Sequence, residues 1–534
     1  MNKRLKILLP VVFAVFLAAG IYVGSIMNAG NSVGNLFNIK YTEKEKLSDV
    51  INFISTDYVD SVDKTELTEK TIEKLLGSLD PHSSYIPPRE LDAVEESING
   101  NFFGIGIQFR QWHDTIVVVR VIENGPATKA GIEPGDRLIS ADGISLVKLD
   151  NDSIMRLLKG PRGSRVSVSA YRPSDKTIHR FKITRGVIPY ESITSYYFVN
   201  DSTAYIKIDR FAATTYDEFL KAVRTLGLNS FKNIIIDLQN NGGGLLTTAE
   251  ALTDEFLPEG KIIVYTEGRN REKEVSYSTS KELMKGKNVY VLVNESSASA
   301  SEIFAGAIQD NDRGTIIGRR TFGKGLVQEQ ITLADKSAIR LTVARYYTAT
   351  GRCIQKPYDK GTDDYYHEIT QRYLHGEMTN ADSAMINDSL MFKTEKGKTV
   401  YGGGGIMPDV YVPLDTTMNY LFYNKLQRSG VFDDFAFEYF DKNRLMLLKK
   451  YPGEKDFAEN FTVTAKIMRD LLKAAKDKGI EPYQALPDTM LYQIKVSLKA
   501  RIASDLYGSN AYYIIINNTN QTFNKAVNYI TTGE

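Results

Sequence analysis

Cysteine is almost missing from this chain: Cys353 is the only one in 534 residues. Neither an intrachain disulfide nor a thiolate metal cluster can therefore form. Histidine is scarce as well, and the five present, His82, His113, His179, His367 and His375, are scattered without the close pairing that builds a zinc site. Metal catalysis is disfavoured on that ground. No surplus of either charge exists, since 66 basic and 65 acidic residues leave a formal net charge of +1. Such a balance supplies no field for capturing nucleic acid, so no nucleic-acid role is expected. The length exceeds what one hydrophobic core holds and implies three or four folded units.

Charge is also missing locally. After Lys3, Arg4 and Lys6, residues 7–27 carry none, and the next charge is Lys40. That run is long enough to cross a bilayer as a helix, whereas the apolar part of a cleavable signal peptide is about 7–15 residues. Basic residues before it place the N-terminus in the cytoplasm and the body outside. Two readings stay open: a retained anchor through residues 7–27, and a signal peptide cleaved near Ala18-Ala19-Gly20 that leaves a soluble periplasmic protein. Either way the body is exported to the periplasm or exterior. No cysteine stands at the end of the run, which excludes a lipoprotein anchor.

Beyond a linker rich in Asn, Gly and Ser (Asn28 to Ile39), Leu47, Val50, Ile51, Ile54 and Tyr58 recur at helical spacing. Ile72, Leu75, Leu76 and Leu79 repeat the pattern before Asp80-Pro81-His82-Ser83-Ser84-Tyr85 breaks it. From about Asn101 the period changes to that of strands and turns. The order Phe102-Phe103-Gly104-Ile105-Gly106-Ile107, Ile116 to Val121, Pro134-Gly135-Asp136-Arg137-Leu138-Ile139 and the turn Asp142-Gly143 resembles a PDZ domain over about residues 100–186. In that fold, Gly104, Ile105, Gly106 and Ile107 would offer backbone N–H groups to a peptide's terminal carboxylate, and the peptide would add as a strand to a sheet edge.

Farther on, Asn233 to Leu238 and Val289 to Val293 read as buried strands running into small-residue turns and then helical patterns. This is an α/β layout with functional loops at strand ends. Past about residue 416 the pattern is mostly helical: Val463, Ile467 and Leu471 share a face before Gly479, and Leu491, Ile494, Leu498 and Ile502 share one before Gly508. The expected division is 1–39 anchor or signal and linker, 40–99 helical segment, 100–186 PDZ-like module, 187–415 catalytic core and 416–534 helical region.

Chemistry concentrates in Asn294-Glu295-Ser296-Ser297-Ala298-Ser299-Ala300-Ser301-Glu302, which follows a strand and opens a helix. A serine there stands at a helix N-terminus, where free N–H groups and the dipole favour developing negative charge, although serines at that place also serve simply as caps. A serine nucleophile needs a base. Linear spacing leaves a histidine open, but none of the five sits in a small-residue loop at a strand end. Thr321-Phe322-Gly323-Lys324-Gly325-Leu326 sets a lysine between glycines after the strand-like Thr315 to Gly318. Burial there would favour the neutral amine; an ordinary exposed lysine is the alternative.

Asp237-Leu238-Gln239-Asn240-Asn241-Gly242-Gly243-Gly244, the serine segment, Gly323-Lys324-Gly325-Leu326-Val327-Gln328, Tyr346-Tyr347-Thr348, Gly351-Arg352 and Gly405-Ile406-Met407-Pro408-Asp409 together resemble the carboxyl-terminal processing peptidases, or tail-specific proteases. The resemblance spans about residues 45–415. It implies an α/β catalytic core of the tail-specific protease type with an inserted PDZ-like β-rich domain, an N-terminal helical segment and a mostly helical C-terminal region. It further implies a serine endopeptidase with Ser299 as nucleophile, Lys324 as base and Gln328 positioning the lysine. The oxyanion hole would use the backbone N–H of Ala300 and that of Gly243 or Gly244. Acyl transfer by such a dyad requires no metal or organic cofactor. Expected partners are exported or misfolded proteins with apolar C-terminal tails, with residues 416–534 a candidate surface for self-association or an adaptor. Gln239 stands where the family often has arginine and Gly242 where proline is common. Two rival readings are an idle PDZ scaffold, disfavoured because nucleophile and base are both present, and an enzyme held inactive until a partner engages the C-terminal region.

Overall fold

The structure is a computed structural model that describes residues 12–23, 43–384, 388–415, 421–482 and 485–533. The chain divides into two compact units, residues 1–75 and 76–534. In the first unit a helix, α1, covers residues 12–23, and the expected periodic faces form α2 (Glu43–Asp57) and most of α3 (Lys64–Gly77). Among the described residues no helix is long and apolar enough to cross a membrane. The rest of the run 7–27, and the linker 28–39, lie outside the described residues.

In the second unit, β1 (Ser84–Ile86) and α4 (Pro88–Asn99) lead to β2 (Asn101–Gly104). The PDZ-like module follows: β3 (Ile107–Trp112), β4 (Thr115–Val121), α5 (Pro126–Ala130), β5 (Arg137–Ala141), β6 (Ile144–Ser145), α6 (Asn151–Leu158), β7 (Arg165–Arg172) and β8 (Thr177–Thr184). Its antiparallel sheet has the order β3-β4-β5-β7-β8 with β6 on β5, so β3 is an edge strand. Alternating Val166, Val168 and Ala170 of β7 and the apolar side of α6, Ile154 and Leu158, close its core with Ile116, Val118 and Leu138. The chain leaves through β9 (Gly186–Pro189), which pairs with β2 from Asn101↔Pro189 to Gly104↔Gly186. Entry and exit are thus one two-stranded ribbon, as an inserted module requires.

The α/β core holds β10 (Ile193–Asn200), β11 (Thr203–Ile208), α7 (Thr215–Leu226), β12 (Asn233–Asp237), α8 (Leu246–Asp254), β13 (Ile262–Gly268), β14 (Arg271–Tyr277), β15 (Asn288–Val293), α9 (Ala300–Asp310), β16 (Gly314–Gly318), β17 (Leu326–Thr332), β18 (Ala338–Tyr347), α10 (Thr362–Leu374), the hairpin of β19 (Met391–Lys393) and β20 (Thr399–Tyr401), and β21 (Val410–Tyr411). Its main sheet runs β10-β11-β12-β15-β16-β21, parallel from β11 onward. Every residue of β11 and β12 is buried. Such strands, covered on both faces, read as unbroken apolar runs like Ile234-Ile235-Ile236. Because β12, β15 and β16 are adjacent and parallel, their carboxyl ends bring three loops side by side: Leu238–Leu245, Asn294–Ser299 and Arg319–Gly325. A second, antiparallel sheet, β1-β18-β13-β14 with β17 also on β18, stands beside them.

The helical region comprises α11 (Leu421–Arg428), α12 (Val431–Lys450), α13 (Glu454–Asn460), α14 (Ala465–Asp477), α15 (Asp488–Tyr507), α16 (Ser509–Ile516) and α17 (Gln521–Thr532). The stop at Gly508 has φ +102°. This region has its own core around Phe432, Leu471, Ile494 and Leu498 and touches both other parts. Phe437 and Phe440 of α12 bury Val117 of β4 beside Trp112, and Arg137 pairs with Asp441 at 2.6 Å. Asn510 Oδ1 accepts from the Ser195 hydroxyl (2.9 Å) and the Tyr196 N–H (3.0 Å) on β10. The helices therefore bridge the PDZ-like module and the main sheet.

Candidate active site

Ser299 is the residue between the β15 loop and α9, and its backbone sits at φ 57°, ψ −117°. That is a strained conformation for a residue with a Cβ, of the kind held only where the surroundings over-determine it. The surroundings do so here. The Ala298 N–H donates to the Asn241 carbonyl (3.0 Å), the Ser301 hydroxyl to the same carbonyl (3.0 Å), and the Ser297 hydroxyl to the Leu238 carbonyl (2.8 Å). The turn thereby projects Ser299 at the mouth of the helix, as a nucleophile elbow does.

Lys324 follows from the neighbouring strand β16. Its Nζ donates to Gln328 Oε1 at 3.0 Å, and among the described residues no hydrogen bond joins it to Ser299. Burial is the main influence pulling its amine below the ordinary lysine value; the Arg340 guanidinium adds to this, while the carboxylates of Glu302 and Asp80 oppose it. Ser299, Lys324 and Gln328 line one cleft of about 780 Å³, together with Gly242, Gly243, Gly244, Ala300, Leu326, Arg340 and Tyr346. No histidine lines it. His82 is bonded to the Tyr365 hydroxyl (2.8 Å), and burial, with Lys324 nearby, drops its ring to about 4, so it is neutral at pH 7.

Glu302 ties the two segments together. Its Oε2 accepts from the N–H groups of Ser299 and Lys324, both at 2.9 Å, while its Oε1 accepts from the Thr321 hydroxyl (2.5 Å) and the Gly323 N–H (2.8 Å). Burial pushes this carboxyl above its ordinary value against the pull of those donors. The buried Tyr346 hydroxyl reaches the carbonyls of both Lys324 (2.7 Å) and Ser299 (3.2 Å). Sequence reading gave neither residue a role. The signal available for Glu302 was Ser-x-x-Glu at a helix start, the spacing of a capping box.

The two glycines differ. Gly243 packs directly on the elbow: at φ +100°, a Cβ there would lie 2.7 Å from Ser299 Cβ and from the Ala298 carbonyl oxygen. Its N–H is already given to Asn241 Oδ1 at 2.9 Å. Gly244 is exposed, and among the described residues neither its N–H nor that of Ala300 donates a hydrogen bond. Both residues line the cleft, one at the start of α9 and one in the glycine turn. In the PDZ-like module the N–H groups of Ile105 and Gly106 likewise donate no hydrogen bond among the described residues, while the Ile105 carbonyl accepts from the Ala127 N–H (2.8 Å) and the Gly106 carbonyl from the Ile122 N–H (3.0 Å). Gly104 belongs to β2 and Ile107 opens the edge strand β3.

Comparison with known proteins agrees with this architecture. The profile of peptidase family S41 matches residues 202–364, that of the PDZ domain residues 104–184, and that of a family of unknown function, DUF8443, residues 422–508. The carboxy-terminal-processing protease of Bartonella bacilliformis is 34% identical over 349 residues, 64% of this chain and 80% of that protein. The carboxy-terminal processing proteases CtpB and CtpA of Bacillus subtilis are 30% and 32% identical, each over 67% of this chain and 76% of theirs. Fold and cleft therefore define a serine-type peptidase with a PDZ module. The chain belongs to the carboxy-terminal processing proteases of peptidase family S41.

Proposed function

We propose that the chain is an endopeptidase in which Ser299 attacks the peptide carbonyl and Lys324, as neutral amine, takes the serine proton. A serine oxygen lone pair forms the new bond to carbon as the carbonyl π pair moves onto the carbonyl oxygen, which the N–H groups of Ala300 and Gly244 stabilise, with Gly243 holding the elbow from behind. Lys324 returns the proton to the leaving amine as the tetrahedral adduct collapses to an acyl-enzyme, and water then hydrolyses the ester. Gln328 orients the amine through the bond to its Oε1. The observation that carries this reading is the strained Ser299 turn and a desolvated Lys324 in one cleft, clasped by one carboxylate. Ser299→Ala should abolish cleavage of an unfolded protein with an apolar tail and leave the melting curve intact. Appreciable turnover in that variant removes Ser299 from the mechanism.

The Gly104–Ile107 turn selects substrates by their terminal carboxylate, and β3 receives the tail as an added strand. Residues 7–27 anchor the protein with its body outside the membrane. That proposal rests on the charge-free run and the basic residues before it, and alkaline carbonate washing should leave the protein on membranes. A soluble form beginning near residue 20 or 30 would show the segment to be a cleaved signal peptide.

A further inference from the structure

The buried and half-buried arginines around the catalytic core mostly have carboxylate partners. Arg319 pairs with Glu295 (2.8 Å), Arg320 with Glu377 (2.6 Å), Arg352 with Asp310 (2.7 Å) and Arg372 with Glu377 (2.9 Å). Arg340, in the wall of the cleft that holds Ser299 and Lys324, does not. Among the described residues the one hydrogen bond of its side chain is from Nη2 to Gln330 Oε1 at 3.3 Å, a long contact to a neutral group, and it forms no ion pair. Burial lowers its guanidinium from the ordinary value, and no acid opposes the shift. Glu95, also on the cleft, is exposed and makes no ion pair with it among the described residues.

Strand register puts this cation on the face of the sheet that carries Gln328. Arg340 stands opposite Gln330 of β17 and Ser84 of β1, and its neighbour two residues on, Thr342, stands opposite Gln328, the residue bonded to Lys324. With a period of two, residues 328 and 330 share a face of the sheet with 340 and 342. A cation withdrawn from water without a counter-ion is unfavourable unless something completes it. The planar fork of guanidinium matches a carboxylate.

We propose that Arg340 is a carboxylate-binding subsite of the catalytic cleft, which receives an acidic group of the bound peptide at a fixed distance from the scissile bond. The assignment rests on the cleft being the site of peptide cleavage. Two sources share this chemistry, an Asp or Glu side chain and the terminal carboxylate of a short tail.

The test uses the full-length protein and peptides with acetylated and amidated ends and no internal charge, with Glu or Gln placed at each position in turn. With the native enzyme one position should favour Glu over Gln by about ten- to a hundredfold in kcat/KM, the range of a hydrogen-bonded charge. A flat scan together with a free-acid preference over amide that is lost in Arg340→Gln assigns the subsite to the terminal carboxylate, whereas a flat scan with an acid preference that survives Arg340→Gln places that selection at the Gly104–Ile107 turn and overturns the proposal. In either case the preference should vanish in Arg340→Gln and persist in Arg340→Lys, and a side-chain preference should turn to Lys over Gln at the same position in Arg340→Glu. An indifferent native enzyme, or a preference unchanged in Arg340→Gln, overturns the proposal. Because Ser299→Ala reports separately on the reaction, an enzyme that depends on Ser299 but ignores peptide charge refutes the subsite alone. Should Arg340→Gln fold poorly, equilibrium binding of Glu and Gln peptides to Ser299→Ala supplies the native preference, and the Arg340→Lys and Arg340→Glu enzymes supply the comparison.

Discussion

Replacing Glu302 with glutamine should loosen both halves of the site at once. Each of its carboxylate oxygens takes two hydrogen bonds, one from Thr321 and Gly323, the other from Ser299 and Lys324. An amide keeps one such oxygen and puts an NH2 where the other stood, so two buried donors face a donor. An unpaired buried donor costs about 1–3 kcal/mol, which makes about 2–6 kcal/mol for the pair. If the turns stay in place the loss appears as stability, at about 2–4 °C of melting temperature per kcal/mol for a domain of this size. If they move, Ser299 and Lys324 move with them, and a displacement of about 1 Å can cost about a hundredfold in rate. Glu302→Gln should therefore melt at least about 4 °C lower or lose at least about tenfold in kcat with little change in KM. Calorimetry and initial rates on a quenched fluorescent peptide measure both. A variant with native melting and native kcat would refute the idea that this carboxylate holds the dyad together.

Three further outcomes are expected. Lys324 titrates below ordinary lysines and works as the neutral amine, so activity should fall as pH drops through its folded value, and burial of Glu302 adds protonation of that carboxyl on the same side; Lys324→Arg, always charged, should be inactive in rate assays across the pH range. Ser299 at φ 57° pays strain that glycine does not, so Ser299→Gly should unfold about 1 kcal/mol later than Ser299→Ala in denaturant titrations, and equal midpoints would mean the turn is unstrained. Amidating a substrate's C-terminus removes the anion offered to the Ile105 and Gly106 amides, so kcat/KM should fall by about one to two orders of magnitude, and equal rates for acid and amide would contradict carboxylate selection.

Much of this molecule is readable along the chain, because some physics is local. The period-two pattern of β7, the helical faces of α14 and α15 and the glycine stop at Gly508 follow from backbone geometry and burial on one side. The serine at a strand-to-helix junction and the Gly-Lys-Gly loop could be singled out for the same reason, whereas the partnership of Gln328 with the lysine was implied only by the family resemblance. What the sequence could not decide depends on parts distant in the chain. Which of two adjacent glycines keeps its N–H free turns on Asn241 Oδ1 taking that of Gly243. That Glu302 is more than a helix cap appears only when the parallel order of β15 and β16 sets residues 321–324 over it. The isolation of Arg340 is likewise invisible in sequence, since an arginine on a strand has a counter-ion or lacks one according to what packs across the sheet. The seating of α12 on the PDZ module joins Val117 to Phe437, which are hundreds of residues apart. Local pattern determines elements and nominates chemistry; charge, hydrogen-bond supply and desolvation are set by neighbours that only the tertiary fold brings together.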